Sequence, residues 1–170
     1  AVRVGDRVVV HAGQWDLDDP WVPGGNDTGR APTFRVWGYD TCWGSFAQFT
    51  KVQAHQCLPM AERLTWEEAA APTLTGSTAY RMLHGWSPNT VKQGDVVLVW
   101  GASGGLGSLA VQLVALADAK AVAVVSSADK GAFAVAHHRV CCQRNHRNVL
   151  KLRVGLDMAG RCPAVDAGQR

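Results

Sequence analysis

Gly101, Gly104 and Gly107 recur every third residue around Ser103 and Gly105. Glycines at that density let a backbone approach a phosphate closely. A helix that starts inside such a turn adds its first free N–H groups and its dipole to the attraction for negative charge. The flanking residues supply the elements. Val96-Val97-Leu98-Val99-Trp100 is a short β-branched run that reads as a buried strand. Leu106, Leu109, Ala110, Leu113 and Leu116 recur at helical spacing, so a helix begins within the glycine turn. Strand, tight turn and helix in that order form the pyrophosphate-holding half of a dinucleotide site. The spacing is GxxGxxG rather than GxGxxG, so the flanking elements carry the reading as much as the glycines do. The competing reading is a glycine turn that binds nothing. The uncharged stretch 96–117 also has the length of a membrane span. Four glycines at its centre and its β-branched start argue against one, and no membrane partner is expected.

A second apolar run, Ala121-Val122-Ala123-Val124-Val125, follows the helix and completes a βαβ unit. The end of such a second strand meets the adenosine ribose, where NAD sites favour an acid. This strand ends in Ser126-Ser127, with Lys130 close behind. Small hydroxyls and a cation suit a 2′-phosphate better than a bare diol, so NADPH is expected over NADH. An ordinary polar turn with a solvated lysine is the alternative, and Asp129 can stand where the acid would.

Around this unit the chain has 170 residues, 47% of them hydrophobic, enough for one domain or parts of two. The net charge is +3 and is not concentrated over the first 130 residues, so no nucleic-acid partner is expected. Cys42, Cys57, Cys141, Cys142 and Cys162 form no CxxC pair, which argues against a structural zinc lobe; no metal is expected, and a reducing, cytoplasmic setting is. The opening Ala1-Val2-Arg3-Val4-Gly5-Asp6 reads as a chain entered midway, so a fragment is expected.

Gly5-Asp6 before Val8-Val9-Val10 and Gly94-Asp95 before Val96-Val97 read as one turn solution used twice. Residues 16–32, rich in Pro, Gly, Asn and Asp, read as a long surface loop. Asp16, Asp18 and Asp19 at its start read as a solvated acidic turn, with a cation site as the alternative. Residues 34–52 read as strand-rich, with Phe46, Gln48, Thr50 and Val52 on one face. Thr65-Trp66-Glu67-Glu68 is a capping box that starts a helix through Ala71. Pro72 ends or restarts it, and a second helix is expected over 75–83 with Ala79, Met82 and Leu83 inward. His11, His55 and His84 read as packing or surface residues rather than acids or bases.

Taken together, the segments VGDRVVV, GSFAQF, LTWEEAA, TGSTAYRML and VLVWGASGGLGSLAVQL resemble the zinc-independent medium-chain dehydrogenase/reductases, in that superfamily's usual order. Within it, HAGQWD followed by Asp18-Asp19-Pro20, then Trp37-Gly38-Tyr39, GSFAQF and Trp100 before the glycine turn resemble the crotonyl-CoA carboxylase/reductases over roughly residues 1–130. The resemblance implies an α/β chain: residues 1–90 as part of a GroES-like, β-rich catalytic domain with hinge helices, and 91–130 as the first half of a Rossmann dinucleotide-binding domain. It implies NADPH-dependent reduction of an α,β-unsaturated acyl-CoA such as crotonyl-CoA. The resulting enolate then attacks carbon dioxide or takes a proton. Thr78 is implied near the nicotinamide, Ser103, Gly104, Gly105 and Leu106 at the pyrophosphate, and Ser126, Ser127 and Lys130 near the 2′-phosphate. An aromatic-Glu pair that holds a carbon-dioxide-positioning water aligns with Tyr39-Asp40, the implied catalytic pair here. Asp is one methylene shorter than Glu, and a misplacement of about 1 Å can cost about a hundredfold in rate. Carboxylation is thus in question where hydride transfer is not. The family is usually oligomeric at full length.

Two other functions stay open: a quinone or enoyl reductase of the same superfamily without carboxylation, and a non-catalytic nucleotide-binding remnant. No oxyanion donor can be named from the residues. Past Lys130 the family pattern stops, and residues 131–170 read as an atypical tail, frameshifted or disordered. His137, His138, His146, Cys141, Cys142, Arg139, Arg144 and Arg147 cluster there without a recognised ligand spacing. A metal site and a phosphate-contacting patch are the other accounts, and translating the gene in its other two frames tests the frameshift. Two strands of a six-stranded sheet are legible, which leaves apolar faces uncovered and predicts poor solubility or dependence on a partner.

Overall fold

A computed structural model of the chain describes residues 2–88, 90–137 and 140–144. It divides into two compact units, the first ending at Thr90 and the second starting at Val91. Of the cluster at 137–147, His138, Arg139, His146 and Arg147 fall outside the described residues, as does the rest of the tail from 145 on.

The first unit contains two short antiparallel pairs and two helices. Strand β1 (Val8–Val10) pairs with β4 (Cys57–Pro59), Val9 opposite Leu58, and β2 (Gly13–Gln14) pairs with β3 (Arg35–Val36), Gly13 opposite Val36. The capping box forms as expected: Thr65 accepts from the Glu68 N–H at 3.2 Å and Glu68 accepts from the Thr65 N–H at 3.0 Å. Helix α1 (Trp66–Ala70) follows, and Pro72 separates it from α2 (Thr73–His84). Ala79 is buried on α2, but Met82 is 60% exposed, contrary to the expected inward face. Residues 44–50 form no strand. Among the described residues their alternating pattern has no neighbouring strand to satisfy its backbone, and Phe46 and Phe49 stand in the open.

The repeated Gly-Asp device is one turn used twice. The Asp6 N–H donates to the Arg3 carbonyl and the Asp95 N–H to the Lys92 carbonyl, both at 3.1 Å. The Asp6 and Asp95 carboxylates accept in return from the Arg3 and Lys92 N–H groups at 2.7 and 2.8 Å. Gly5 and Gly94 sit at φ +95° and +85°, the left-handed position a type II turn reserves for glycine.

In the second unit β5 (Val96–Trp100), α3 (Gly105–Leu116) and β6 (Lys120–Val125) form the expected βαβ unit, with β5 and β6 parallel and Leu98 opposite Val122. A further helix, α4 (Ala128–His137), leads to β7 (Val140–Arg144), parallel to β6 on its other side. The sheet order is β5-β6-β7. Strand β6 is central and buried from Ala121 to Val125, which accounts for its unbroken apolar run. Helix α3 turns Gly107, Val111 and Val114 inward, whereas Leu106 and Leu116 are 39% and 81% exposed. Apart from Ser108 and Gln112 the helix carries only apolar residues and glycine, so the spacing of its leucines alone could not select its buried face. Among the described residues no helix is long and apolar enough to cross a membrane.

Candidate functional site

The glycine turn lies at the carboxyl end of β5. Gly101 takes φ +69°. Its N–H and that of Ala102 both donate to the Val124 carbonyl, at 2.9 and 3.3 Å, so the turn is fixed to β6. Gly107 makes the helix fit: a Cβ there would overlap the Gly101 carbonyl oxygen and lie 2.7 Å from the Ala102 Cα. Glycine is therefore required where α3 crosses the turn. The Ser108 N–H is the first of α3 with a backbone acceptor, the Gly104 carbonyl at 2.8 Å. No side chain caps the helix, so the N–H groups of Gly105, Leu106 and Gly107 make no described hydrogen bond. Gly104, Gly105 and Leu106 are exposed and Ser103 is half-buried. A twelve-residue helix with uncapped N–H groups behind an open glycine turn fits a dinucleotide pyrophosphate.

At the end of β6, Lys130 Nζ donates to Ser126 Oγ at 3.1 Å, and the Lys130 N–H approaches Ser127 Oγ at 3.4 Å. The two hydroxyls and the cation are thus gathered into one cluster at the start of α4. Asp129 sits in the first turn of that helix.

Thr78 lies in the other unit, on α2, beside a cavity of about 360 Å³. Its walls include His11, Trp15, Phe34, Ser77, Thr78 and the Asp27–Arg81 pair. Arg81 holds both oxygens of Asp27. This charge-assisted bond keeps the Asp27 carboxyl below the usual carboxylate range and raises the Arg81 guanidinium. It ties the 16–32 loop to α2. The neighbouring hydroxyls are held as well: Ser77 and Thr78 both donate to the Leu74 carbonyl at 2.9 Å.

At the acidic start of the loop Asp16 and Asp18 are exposed, as expected of a solvated turn, but Asp19 is not. Asp19 is 6% exposed. Its Oδ1 accepts from the Trp21 N–H at 2.9 Å, and its Oδ2 from the Thr33 hydroxyl at 2.6 Å and the Thr33 N–H at 3.2 Å. The Thr33 hydroxyl is the chief reason its carboxyl titrates below the ordinary range. Asp19 therefore clamps the loop base as Asp27 clamps its tip. Among the described residues no group of side chains could hold a metal ion.

Tyr39 and Asp40 sit in the turn after β3, outside the walls of that cavity. Tyr39 is 87% exposed. Asp40 Oδ2 accepts from the Val36 N–H at 2.7 Å, and the Asp40 N–H donates to the Val36 carbonyl at 2.8 Å, so this carboxylate closes its own turn. Of the expected site residues, Ser103, Gly104, Gly105 and Leu106 gather at one turn and Ser126, Ser127 and Lys130 at one strand end. Thr78 shares its cavity wall with His11, which the sequence presents as a packing or surface residue. The signal that could have marked His11 is its place two residues before Gly13, a glycine whose Cβ would lie 2.9 Å from the imidazole Cε1.

No family model matches the chain. It is 56% identical over 131 residues to the crotonyl-CoA carboxylase/reductase of Cereibacter sphaeroides, covering 77% of this chain and 30% of that protein. Among solved structures, a crotonyl-CoA carboxylase/reductase superposes with a TM-score of 0.80 at 48% identity, over 85% of this chain and 33% of that one. The 2-octenoyl-CoA carboxylase reductase CinF, in complex with NADP and 2-octenoyl-CoA, superposes with a TM-score of 0.69 at 48% identity, over 78% of this chain and 29% of that one. The chain thus spans about a third of the length of the proteins it matches.

Proposed function

Given that this chain belongs to the crotonyl-CoA carboxylase/reductases of the medium-chain dehydrogenase/reductase superfamily, we propose that it takes part in NADPH-dependent reduction of an α,β-unsaturated acyl-CoA. The observation that carries the proposal is the uncapped start of α3 behind the Gly101–Gly107 turn. Bound there, NADPH supplies the hydride. The N–H groups of Gly105, Leu106 and Gly107 hold the pyrophosphate, with Ser103 and Gly104 forming the open side of the turn. Lys130, with Ser126 and Ser127, neutralises the 2′-phosphate and selects NADPH over NADH. The family resemblance assigns Thr78 to the nicotinamide, and the cavity of the first unit takes the acyl thioester. These readings are supported by the open glycine turn, by the clustering of Lys130 with two hydroxyls, and by the bound NADP and 2-octenoyl-CoA of the similar CinF.

Carbon dioxide is the second expected substrate, held with the help of Tyr39 and Asp40. One observation favours reduction without carboxylation: the Asp40 carboxylate is engaged by the Val36 N–H in its own turn. A carboxylate so tied, on a side chain one methylene shorter than Glu, is poorly placed to hold a water for carbon dioxide. We expect the enolate to be protonated more often than carboxylated. The test is NADPH oxidation by the chain with crotonyl-CoA, with and without bicarbonate, with products separated by mass. The expected result is crotonyl-CoA-dependent oxidation yielding mainly the saturated acyl-CoA. NADPH binding without any oxidation would overturn the enzymatic reading and leave a non-catalytic nucleotide-binding module.

A further inference from the structure

Reduction of an enoyl thioester at its β-carbon breaks the C=C π bond, and the electron pair moves through the α-carbon to leave negative charge on the thioester oxygen. A fixed donor at that oxygen stabilises the developing charge. We propose that His11 is that donor, through Nε2–H, for a thioester enolate in the cavity of the first unit. This rests on the acyl-CoA reading of that cavity.

Three observations fix the imidazole. The His11 backbone is held on both sides by Gln56, which is 1% exposed: the His11 N–H donates to the Gln56 carbonyl at 2.8 Å, and Gln56 Nε2 donates to the His11 carbonyl at 2.9 Å. The ring packs edge-on against Trp15 at 6.3 Å. Its Nδ1 stands 3.0 Å from the Gly13 N–H and 3.1 Å from the Gly13 carbonyl.

The strand pairing decides between the two tautomers. The Trp37 N–H donates to the Ala12 carbonyl at 2.8 Å, so Ala12 and Trp37 form the hydrogen-bonded pair of β2–β3 and Gly13 and Val36 the non-bonded one. Consistently, the Val36 N–H goes to Asp40. The Gly13 N–H therefore has Nδ1 as its acceptor, and an orphaned buried N–H is rarer than an under-used carbonyl. With Nδ1 accepting, the proton of the neutral ring sits on Nε2, which makes no described hydrogen bond.

Trp15 Nε1–H on the wall also has no described partner, but that atom is itself buried and faces no open space in the cavity. Most of the remaining side-chain polar groups are occupied. Arg81 is held by Asp27, and the Ser77 and Thr78 hydroxyls by Leu74. Thr28 offers a hydroxyl without a described partner, but a freely rotating one, whereas the His11 donor is fixed at backbone and ring. His11 donates a hydrogen bond in this role and gives up no proton.

The probe is acetoacetyl-CoA, whose enolate has its own near-ultraviolet absorption and needs no cofactor. Its α-proton leaves to the buffer, and the charge rests on oxygen. The parent chain is expected to bind it and raise its enolate fraction at fixed pH. His11→Phe is expected to bind it with an enolate-to-keto ratio about tenfold lower, His11→Gln to keep part of the effect, and Thr28→Val to keep all of it. An unchanged ratio in His11→Phe, or its loss in Thr28→Val, overturns the inference. Should His11→Phe fail to fold, the ¹⁵N spectrum of His11 in the parent chain decides: the Nε2–H tautomer supports the inference and the Nδ1–H tautomer overturns it. No binding by the parent chain refutes the acyl-CoA reading itself, together with this inference; binding without an enolate shift refutes the inference alone.

Discussion

Replacing Gly107 by alanine tests whether α3 is pressed onto the glycine turn as tightly as described. The added methyl would overlap the Gly101 carbonyl oxygen and stand 2.7 Å from the Ala102 Cα and 2.8 Å from the Gly101 carbonyl carbon. All three are backbone atoms, and the turn is fixed to β6 through Val124, so no side chain can swing aside. Relief requires α3 to move off the turn, and overpacking of this kind costs about 1–3 kcal/mol. The upper end applies where backbone must shift. For a unit of this size each kcal/mol lowers Tm by roughly 4–8 °C, so a fall of roughly 10–20 °C is expected by circular dichroism. Gly104→Ala is the matched control. Its methyl would meet only the Gly101 carbonyl oxygen, at 3.4 Å, an ordinary contact, and its φ of −84° suits any residue. Gly104→Ala should therefore melt close to the parent, yet lose NADPH affinity because its methyl stands on the open side of the turn. A Gly107→Ala chain that melts with the parent would refute the close approach.

Lys130→Ala should reduce the preference for NADPH over NADH about five- to thirtyfold, the equivalent of about 1–2 kcal/mol for one solvent-facing charge, read by titration with each nucleotide. Asp40→Glu should raise the carboxylated share of product, by up to about a hundredfold if the lost reach is the whole defect; mass analysis of products reads it. Asp19 and Asp27 both titrate below the ordinary carboxylate value of 3.8 in the folded chain. Their contribution is complete above that value and is lost as pH falls through their folded pKa values, so acid unfolding of the first unit should steepen below pH 3.8 and be shallower in Asp27→Asn. Burial and the charge of His11 lower the His55 pKa beneath 6.5. The unfolded chain then takes up the proton first, and stability should decline as pH falls through 6.5, a slope that His55→Phe should remove.

The dinucleotide half was legible because its signals are local. A β-branched run, a glycine turn and an apolar helix each declare themselves within a few residues, and the two Gly-Asp turns follow from one left-handed glycine and one returning carboxylate. The capping box at Thr65 is local in the same way. What stayed hidden depends on distant partners. Residues 46–52 alternate as in a strand, but among the described residues no neighbouring strand pairs with Phe46 or Phe49. Asp19 looks like a surface acid until Thr33, fourteen residues on, closes over it. His11 gains its place in the cavity wall from Gln56, forty-five residues away, and from an antiparallel register that no pattern within β2 encodes. Helix α3 hides its buried face because its leucines spread beyond it, and the contact at Gly107 selects the face. Strand β7 gives little sign of itself because Val140-Cys141-Cys142-Gln143-Arg144 has no clear alternation, and its place is set by pairing with the buried β6.

The most direct test of the central claim is calorimetric titration of the chain with NADPH and, in parallel, with NADH. Saturable NADPH binding, tighter than NADH and weakened by both Gly104→Ala and Lys130→Ala, is the predicted result. A folded chain that binds neither nucleotide, or binds both equally and unaffected by those substitutions, would contradict it.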